Sequence, residues 1–431
     1  MKKVILIIIS LIIFVPKVFA ISLSTALTQA YKNNPELNAE RENLKVSIED
    51  LNISKGEYLP TLTLKGTKSQ EDTNKLTNQA GGDAQITDVD PQTTSITIEQ
   101  TLLDFGRVAD YQKNKIGIDL AKAKLLKKEQ DILYKAIEAY TGLVFANEKL
   151  KINQSNLNLL ERQVETDRVR LERGQLTLSD VAQSESSLAE AQAKLIEAQN
   201  NVITSKLNYE NIIGPLSNSN DIEKNSNVNF KLPSSLIESI DLSKNSNPDL
   251  IIAKLEYEQS KKDETIAKSD LTPTAKLSFE RSYTDDLSAT YDEREKDVLK
   301  ATVSWPFYSG GKNIAKYKKN RSLKTRKRLL LDNSIKTNDT NVASAWSNFQ
   351  SNKSLLNSVQ SQVKAAEIAY EGIAAEYQSG TGRTTLEVIQ SNSLLLNAQI
   401  SLANSERNYL LSQFNLLKSI GLLNSSNLKI N

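Results

Sequence analysis

The chain has 431 residues, contains neither Cys nor His, and balances 54 Lys and Arg against 52 Asp and Glu. Without Cys and His it has no disulfides, no thiolate chemistry and no imidazole metal sites, so we expect no catalytic residues, no metal site and no cofactor. The net charge of +2 produces no broad field that would attract nucleic acid, and no nucleic-acid partner is expected.

The first 20 residues have the pattern of a secretory signal peptide. Two lysines open the chain, an apolar run covers residues 4–15, and Val18-Phe19-Ala20 supplies a cleavage site. A single membrane anchor is the alternative, but the run is shorter than the ~20 residues that a spanning helix needs. We therefore predict that the mature chain starts at Ile21 and is exported.

Four segments alternate apolar and polar residues with a period of two, which is the pattern of strands with two different faces. They are residues 59–68, 93–103, 275–280 and 299–307. Stretches of about ten residues with this period have the length of a tilted strand that crosses a membrane. A half-buried sheet in a soluble protein gives the same alternation, so the pattern alone leaves both alternatives open.

Aromatic residues collect near one end of these segments, as they do at a membrane interface. They are Phe105, Trp305, Phe307 and Tyr308. The connecting segments, residues 70–92 and 282–296, are polar and are predicted to be long loops.

Two long stretches place apolar residues at alternating steps of four and three, the heptad pattern of a coiled coil. The first covers residues 132–171, with Asn153 and Asp167 as polar interruptions, and predicts a helix over about residues 107–172. The second covers residues 335–377. At ~1.5 Å per residue each helix would be roughly 100 Å long. A cytosolic coiled coil or a spectrin-like bundle has the same seams, but the signal peptide and the strands argue against both.

Each long seam ends at a glycine, Gly174 or Gly380, a residue that can adopt the left-handed conformation of a helix C-cap. New seams then cover residues 188–213 and 386–417, with Thr177 and Thr384 as the expected caps at their start. The sequence therefore predicts two tall antiparallel helical hairpins, each with a tight tip.

The sequence also contains an internal duplication. Asn34-Pro35-Glu36-Leu37 returns 213 residues later as Asn247-Pro248-Asp249-Leu250, and Thr177 returns 207 residues later as Thr384. A unit this long indicates a duplicated domain rather than a solenoid. The predicted organisation is a signal peptide (1–20), a first repeat (21–214, with a β-hairpin at 59–103 and a coiled-coil hairpin at 107–214), an Asn/Ser-rich linker (215–233), a second repeat (234–421, with a β-hairpin at 272–309 and a coiled-coil hairpin at 312–421) and a C-terminal tail (422–431).

The number of strands constrains the assembly if the strands lie in a membrane. Four strands cannot close a barrel, and an open sheet edge is not tolerated in lipid. Several chains must then share one barrel, and three chains would supply twelve strands and twelve hairpin helices. The predicted fold class is mainly α with a small β part, built on duplicated long antiparallel helical hairpins.

Six short motifs in this order resemble the TolC-type outer membrane factor family over essentially the whole mature chain. They are Asn34-Pro35-Glu36-Leu37, Tyr58-Leu59-Pro60, Leu103-Asp104-Phe105-Gly106, Asn247-Pro248-Asp249-Leu250, Trp305-Pro306-Phe307-Tyr308-Ser309-Gly310-Gly311 and Tyr377-Gln378-Ser379-Gly380. The resemblance implies a homotrimer with a trimeric α-barrel, continuous with a shared 12-stranded transmembrane β-barrel to which each chain gives four strands. It further implies location in the bacterial outer membrane with a large periplasmic extension.

The same resemblance implies a function and partners. The chain would be the passive exit duct of a tripartite efflux or type I secretion system, gated and opened by adaptor docking. Its partners would be a periplasmic adaptor (membrane fusion protein), an inner-membrane transporter of the ABC or RND type, and outer membrane lipid.

Family members close their periplasmic end around the hairpin tips, and carrying this over by position names five residues as the gate. They are Asp180, Tyr377, Arg383, Glu387 and Gln390. The second tip has one residue more than the family pattern, which offsets Arg383, and Gln390 stands where an acid is often found. Asp180 and Glu387 also complete capping boxes with Thr177 and Thr384, so each acid can be a cap, a gate residue or both.

Two other classes of protein remain as alternatives. A periplasmic coiled-coil adaptor also has a signal peptide and a helical hairpin, but it usually has a single hairpin, whereas this sequence has two. A secreted enzyme would depend on acid pairs such as Asp285-Asp286, which lie in a polar segment.

Overall fold

The structure is a computed structural model that describes residues 21–73, 87–216, 222–224, 230–288, 291–380 and 382–430. The predicted signal peptide lies outside these residues, as do parts of the linker at 215–233 and of the segment at 70–92. The helices are α1 (Leu23–Asn33), α2 (Pro35–Gly56), α3 (Phe105–Glu172), α4 (Leu178–Ile212), α5 (Leu236–Ser246), α6 (Pro248–Ser269), α7 (Lys312–Ser379), α8 (Thr385–Ser419) and α9 (Ser425–Leu428). The strands are β1 (Thr61–Lys68), β2 (Glu71–Thr73), β3 (Thr87–Val89), β4 (Gln92–Leu103), β5 (Thr274–Ser288) and β6 (Tyr291–Ser304).

The fold class is confirmed, because long helices dominate and the sheet is small. The two long helices, α3 and α7, each contain 68 residues. Among the described residues, no helix combines the length and the apolar character that crossing a membrane requires. The residues form two compact units. Two of the boundaries fall inside α3 and α7, between positions 127 and 128 and between positions 339 and 340, and the other two lie between positions 38 and 39 and between positions 246 and 247.

One unit comprises Ala39–Lys127 and Asn247–Asp339 and contains the four-stranded antiparallel sheet. The strand order is β1-β4-β5-β6, so β1 and β6 are the edges. Ile98 lies opposite Leu62 on one side and Phe279 on the other. Leu62 and Leu299 are each 71% exposed, although they occupy the apolar parity of their strands. An apolar sheet face that is exposed in the single chain does not fit a half-buried soluble sheet, where the apolar parity is covered.

The predicted loops around the strands are partly wrong. Residues 282–296 are not a loop, because β5 continues to Ser288 and β6 starts at Tyr291. Continuous backbone pairing extends this hairpin, and the Arg281 side chain lies 3.7 Å from Glu295 and 3.8 Å from Asp297 on the neighbouring strand.

Two further boundaries differ from the sequence prediction. Within residues 70–92, β2 and β3 pair as a short second sheet. The last strand ends at Ser304 rather than at 307, because Pro306 has no N–H to donate to a ladder.

Helices of this unit lie side by side in the same order as the strands they adjoin. The Ser54 hydroxyl of α2 donates to Asp110 of α3 at 2.8 Å. Lys113 of α3 pairs with Asp263 of α6 at 2.8 Å. Lys327 of α7 pairs with Glu256 of α6 at 2.6 Å, and Lys316–Asp270 and Lys324–Glu264 are two similar Lys–acid pairs. The order is therefore α2-α3-α6-α7.

The repeated Asn-Pro motif begins a helix in both repeats. Asn247 Oδ1 accepts from the backbone N–H groups of Asp249 and Leu250, at 2.8 and 3.3 Å, and Pro248 takes the first helical position. Asn34 Oδ1 makes the same bonds to Glu36 and Leu37. An Asn cap followed by Pro satisfies free N–H groups of the first turn with a side chain and a preset φ angle.

The other unit comprises Met1–Asn38, Lys128–Ser246 and Thr340–Asn431, and it contains the main apolar core. Leu23, Leu27, Leu143 and Phe414 are fully buried there. The predicted seam of α3 is buried from Ile132 to Asp167, its two polar positions included, except at Leu150, which is partly buried. In the second seam, the prediction for Ile335, which lies in the sheet unit, is wrong. Its side chain is 41% exposed, and Asn338, one turn further along α7, is buried instead.

Candidate functional site at the hairpin tips

The first hairpin tip is a glycine turn followed by a capped helix. After α3 ends, Gly174 takes φ 71°, and the N–H groups of Gly174 and Gln175 donate to the carbonyls of Leu171 and Arg170 at 2.9 Å each. These two bonds satisfy carbonyls at the helix end in a Schellman arrangement. Left-handed backbone at this position favours glycine over any residue with a Cβ atom.

The helix after this tip, α4, begins with a complete capping box. Asp180 Oδ2 accepts from the Thr177 N–H at 3.0 Å and from its hydroxyl at 2.7 Å, while the Asp180 N–H donates to Thr177 Oγ1 at 3.3 Å. The bonds from the Thr177 side chain and backbone lower the pKa of Asp180. Among the described residues, the Asp180 carboxylate has only Thr177 as a hydrogen-bond partner.

The second tip repeats the capping box and adds an arginine. Gly380 and Gly382 take φ 76° and 93°, and position 381 lies outside the described residues. Glu387 Oε2 accepts from the Thr384 N–H at 2.8 Å, and the Glu387 N–H donates to Thr384 Oγ1 at 3.3 Å. Arg383 donates to Glu387 Oε1 at 3.0 Å.

Arg383 bridges the two helices of its hairpin. Its Nε lies 2.6 Å from Glu376 Oε2 in the last turn of α7, and its other contact, Glu387, is in the first turn of α8. The Thr384 backbone bond, the Arg383 guanidinium and the Thr384 hydroxyl together lower the pKa of Glu387. The two carboxylates raise the pKa of Arg383, which stays charged. No motif or spacing in the sequence pointed to Glu376.

A buried carboxylate lies about two helical turns before Gly174 of the first tip. Asp167 is 0% exposed and accepts hydrogen bonds from three neutral donors. These are Ser184 Oγ of α4 at 2.6 Å, the Tyr377 hydroxyl of α7 at 2.7 Å, and Gln163 Nε2 of its own helix at 2.9 Å. No Lys or Arg lies within ion-pair distance of this carboxylate in the described part of the chain, so these three donors carry its stabilisation.

Tyr377 connects the two hairpins. Its side chain is 5% exposed, its hydroxyl donates to Asp167, and the Thr385 hydroxyl of α8 lies 3.1 Å away. Because the Tyr377 proton is directed to the carboxylate, Thr385 donates to the Tyr377 oxygen. Burial is the main cause that raises the pKa of Tyr377, and the bond to Asp167 acts in the same direction. We call the cluster of Asp167, Ser184, Tyr377 and Thr385 the tip network.

A second buried polar bond joins the hairpins further from the tips. Asn392 Nδ2 of α8 donates to Asn156 Oδ1 of α3 at 2.7 Å, with both side chains buried. Buried amide pairs specify register, because any slip leaves both groups without partners.

The structure thus brings some of the predicted gate residues into contact and leaves others apart. Arg383 and Glu387 meet at the second tip, and Tyr377 enters the tip network. Gln390 is exposed and makes no hydrogen bond within the described residues. Asp167 was predicted only as a polar interruption of the seam, and its acid at a heptad core position was the signal that could have identified it.

The predicted interface aromatics lie where the sheet meets the helices. Phe105 opens α3, and Trp305, Phe307 and Tyr308 follow β6. All four are exposed, and Phe307 is 84% exposed. Trp305 Nε1 donates to the Leu271 carbonyl at 3.2 Å, which fixes the ring next to the sheet.

Two coiled-coil hairpins, an antiparallel sheet with an exposed apolar face, and hairpin tips joined by a buried polar network define the subunit of an outer membrane channel. The chain belongs to the outer membrane efflux protein family, whose family model matches residues 26–215 and 239–422. The family confirms the predicted transport function, the outer membrane location with a periplasmic helical extension, and the assignment to a class of proteins that are not enzymes.

Individual relatives agree along most of the chain. The outer membrane efflux protein BepC of Brucella suis is 25% identical over 94% of this chain and 87% of its own length. The alkaline protease secretion protein AprF of Pseudomonas aeruginosa is 21% identical over 96% of this chain and 87% of its own. The CmeC outer membrane channel of Campylobacter jejuni, a crystal structure, superposes with a TM-score of 0.80 at 14% identity, covering 93% and 85% of the two chains. These relatives support the channel interpretation and not the adaptor alternative.

Proposed function

We propose that the chain assembles as a homotrimer whose subunits share one 12-stranded β-barrel, and that it works as a passive gated duct. Its partners are a periplasmic adaptor and an inner-membrane transporter of the ABC or RND type, and it opens when the adaptor docks. Relatives named for efflux and for protease secretion support both branches of this proposal, efflux and protein secretion.

The hydrogen bond between the Tyr377 hydroxyl and Asp167 carries the gating proposal. It connects the α7–α8 hairpin to the α3–α4 hairpin, so separating the hairpins at this level requires breaking it. A hydrogen bond to a charged group contributes about 1.5–3 kcal/mol, and a buried carboxylate that loses a donor is destabilised further. Three such bonds in a trimer would hold the tips closed and still yield to a docking partner.

The remaining predicted residues have supporting roles in this proposal. Arg383 fixes the turn between α7 and α8 through Glu376 and Glu387, and Asp180 caps α4 beside the network. Gln390, which is exposed, would line the constriction as a neutral residue. The exposed aromatics Phe105, Trp305, Phe307 and Tyr308 would anchor the barrel at the membrane interface.

Single-channel recording in planar bilayers tests the proposal. Tyr377→Phe removes the hydroxyl and keeps the ring, so we expect a larger and more frequent open conductance than in the unmodified protein. Tyr370→Phe is the matched control, because Tyr370 lies two turns earlier on α7, is partly buried, and makes no hydrogen bond within the described residues. Equal conductance in all three proteins would refute a gate at Tyr377.

A further inference from the structure

The outer helices of the sheet unit, α2 and α7, carry opposite charge. Residues 312–328 of α7 contain nine Lys or Arg and no Asp or Glu. Residues 36–57, which include all of α2 except Pro35, contain six Asp or Glu and three Lys or Arg. In the order α2-α3-α6-α7, each of these two helices has a neighbour on one flank only within the part of the chain that the structure describes. The edge strands β1 and β6 adjoin the same two helices.

Some of the cationic residues of α7 form ion pairs within the chain, and others do not. Three lysines of α7 pair with acids on α6 or at its C-cap. Lys318 and Lys319 are exposed and have no ion-pair partner among the described residues. The carboxylates of Glu49 and Asp50 on α2 are also exposed and also have no ion-pair partner among the described residues.

The contact between α3 and α6 provides an internal template, because it joins the first repeat to the second. At this contact Lys262 Nζ donates to Gln112 Oε1 at 2.7 Å, and Lys113 pairs with Asp263 at 2.8 Å. In a ring of repeats, the next junction of this kind joins the second repeat of one chain to the first repeat of another. That junction would place α7 against α2.

Structural matches between the repeats give the register. Arg107 donates to the Glu57 carbonyl at 2.7 Å, and Asn313 donates to the Asp270 carbonyl at 2.9 Å. These contacts are equivalent, so each α3 residue corresponds to the α7 residue 206 positions later, as Gly174 does to Gly380. By the same contacts, each α2 residue corresponds to the α6 residue 213 positions later. Positions equivalent to Gln112 and Lys113 are therefore Lys318 and Lys319, and those equivalent to Lys262 and Asp263 are Glu49 and Asp50.

We propose that α7 of one subunit packs against α2 of the next in the register of the α3–α6 contact, with Lys318 facing Glu49 and Lys319 facing Asp50 of the partner subunit. This subunit seam rests on the trimer of the proposed function and deepens it. At both of these positions the facing residues carry opposite charges across the seam. In addition, the edge strands β1 and β6 each need a partner here, since an unpaired strand edge is not tolerated in lipid. An anionic lipid is the less suitable occupant, because the cations continue for roughly 24 Å along the helix, beyond the reach of one headgroup layer.

Charge reversal tests the seam on the full-length protein extracted in mild detergent. Lys318→Glu with Lys319→Glu is expected to lower the ratio of trimer to monomer about tenfold at low salt, since two ion pairs become repulsive at each of three seams. Glu49→Lys with Asp50→Lys is expected to do the same. Combining all four substitutions restores opposite charges, and the trimer should return. Recovery in the combined variant excludes misfolding as the cause of the single defects.

A matched control and a cross-link complete the design. Lys115→Glu with Lys124→Glu makes the same charge change at exposed positions of α3 and should leave the trimer intact. The chain has no Cys, so Lys319→Cys with Asp50→Cys introduces the only thiols, and a bifunctional thiol reagent should link subunits into trimers.

The outcomes separate this inference from the proposed function. If the reversed variants remain trimers and the thiols do not cross-link, the seam is overturned while the trimeric channel stands. If they remain trimers but lose co-purifying anionic lipid, the flank of α7 is a lipid site and the seam is likewise overturned. If the unmodified protein is itself a monomer, the trimer and the seam both fall.

Discussion

Arg170 of α3 lies over the ring of Tyr377 of α7, with its guanidinium carbon 4.5 Å from the ring centroid. The same guanidinium donates to the Tyr377 and Gln378 carbonyls at 3.4 Å. Tyr377 is therefore held from two sides, at its hydroxyl by Asp167 and at its ring and backbone by Arg170. Because both partners are on α3, one helix fixes the end of the other.

Removing Arg170 should loosen the end of α7. A cation–π contact contributes about 0.5–2 kcal/mol and each hydrogen bond about 1 kcal/mol, so Arg170→Ala should speed amide exchange at residues 376–384 about tenfold. Hydrogen exchange followed by mass spectrometry measures this directly. Arg168→Ala is the control, because Arg168 pairs with Glu185 at an exposed site, where an ion pair contributes little. Equal protection in both variants would show that Arg170 does not hold the tip.

The long seam of α3 could be predicted because its period is regular, and even its polar members are buried as the heptad requires. What Asp167 binds could not be predicted, since its partners Ser184 and Tyr377 lie 17 and 210 residues away. A heptad shows that a residue faces a neighbouring helix but not which helix that is. The resemblance named Tyr377, whereas its two contacts on α3 required the structure.

The strand boundaries show the opposite limitation. Residues 282–296 carry charges on both parities, so no alternation indicates a strand there. The backbone nevertheless pairs as far as Ser288 and Tyr291, because ladder bonds do not depend on the side chains. In α7, Ile335 fitted the heptad by residue type, but the exposed apolar side chain shows that residue type alone does not decide which flank of a helix is covered.

Low pH should weaken both hairpin tips in a defined range. The folded chain lowers the pKa of Asp180 and of Glu387, so their capping bonds contribute in full above the unfolded pKa and are lost as pH falls through the folded value. With unfolded pKa values of about 4, we expect exchange protection at the tips to be constant from about pH 7 to 5 and to fall below about pH 4. Arg383 stays charged throughout and contributes no transition.

The variant Asp180→Asn with Glu387→Gln checks the assignment of that transition. Exchange rates at the tips, corrected for the intrinsic effect of pH, should then be independent of pH over the same range. A transition that persists unchanged in the double variant would assign it to other carboxylates.

Neutralising charges at the tips should open the duct. Arg383 joins Glu376 to Glu387 across the turn, and Asp180 holds the start of α4, so Arg383→Gln with Asp180→Asn should raise the single-channel conductance in planar bilayers. Lys364→Gln, an exposed cation on α7 without an ion pair in the described residues, is the control and should leave conductance unchanged. An unmodified protein that already conducts widely, with no further increase in the double variant, would argue against gating at these tips.

The second capping box should stabilise its tip by more than the loss of the Thr384 hydroxyl alone suggests. The reason is that Glu387 bonds both to the cap residue and to Arg383. Thr384→Ala removes the side-chain acceptor for the Glu387 N–H and one donor to its carboxylate, and a lost cap of this kind costs about 1 kcal/mol. Thr384→Ser keeps the oxygen and should retain most of the protection of the first turn of α8. Hydrogen exchange at residues 385–388 distinguishes Thr384→Ala from Thr384→Ser. Thr177→Ala is the comparison, because it removes the equivalent cap at the first tip, where no arginine contacts the acid. If Thr384→Ala disturbs its tip no more than Thr177→Ala disturbs the first, the link through Glu387 to Arg383 adds nothing to the cap.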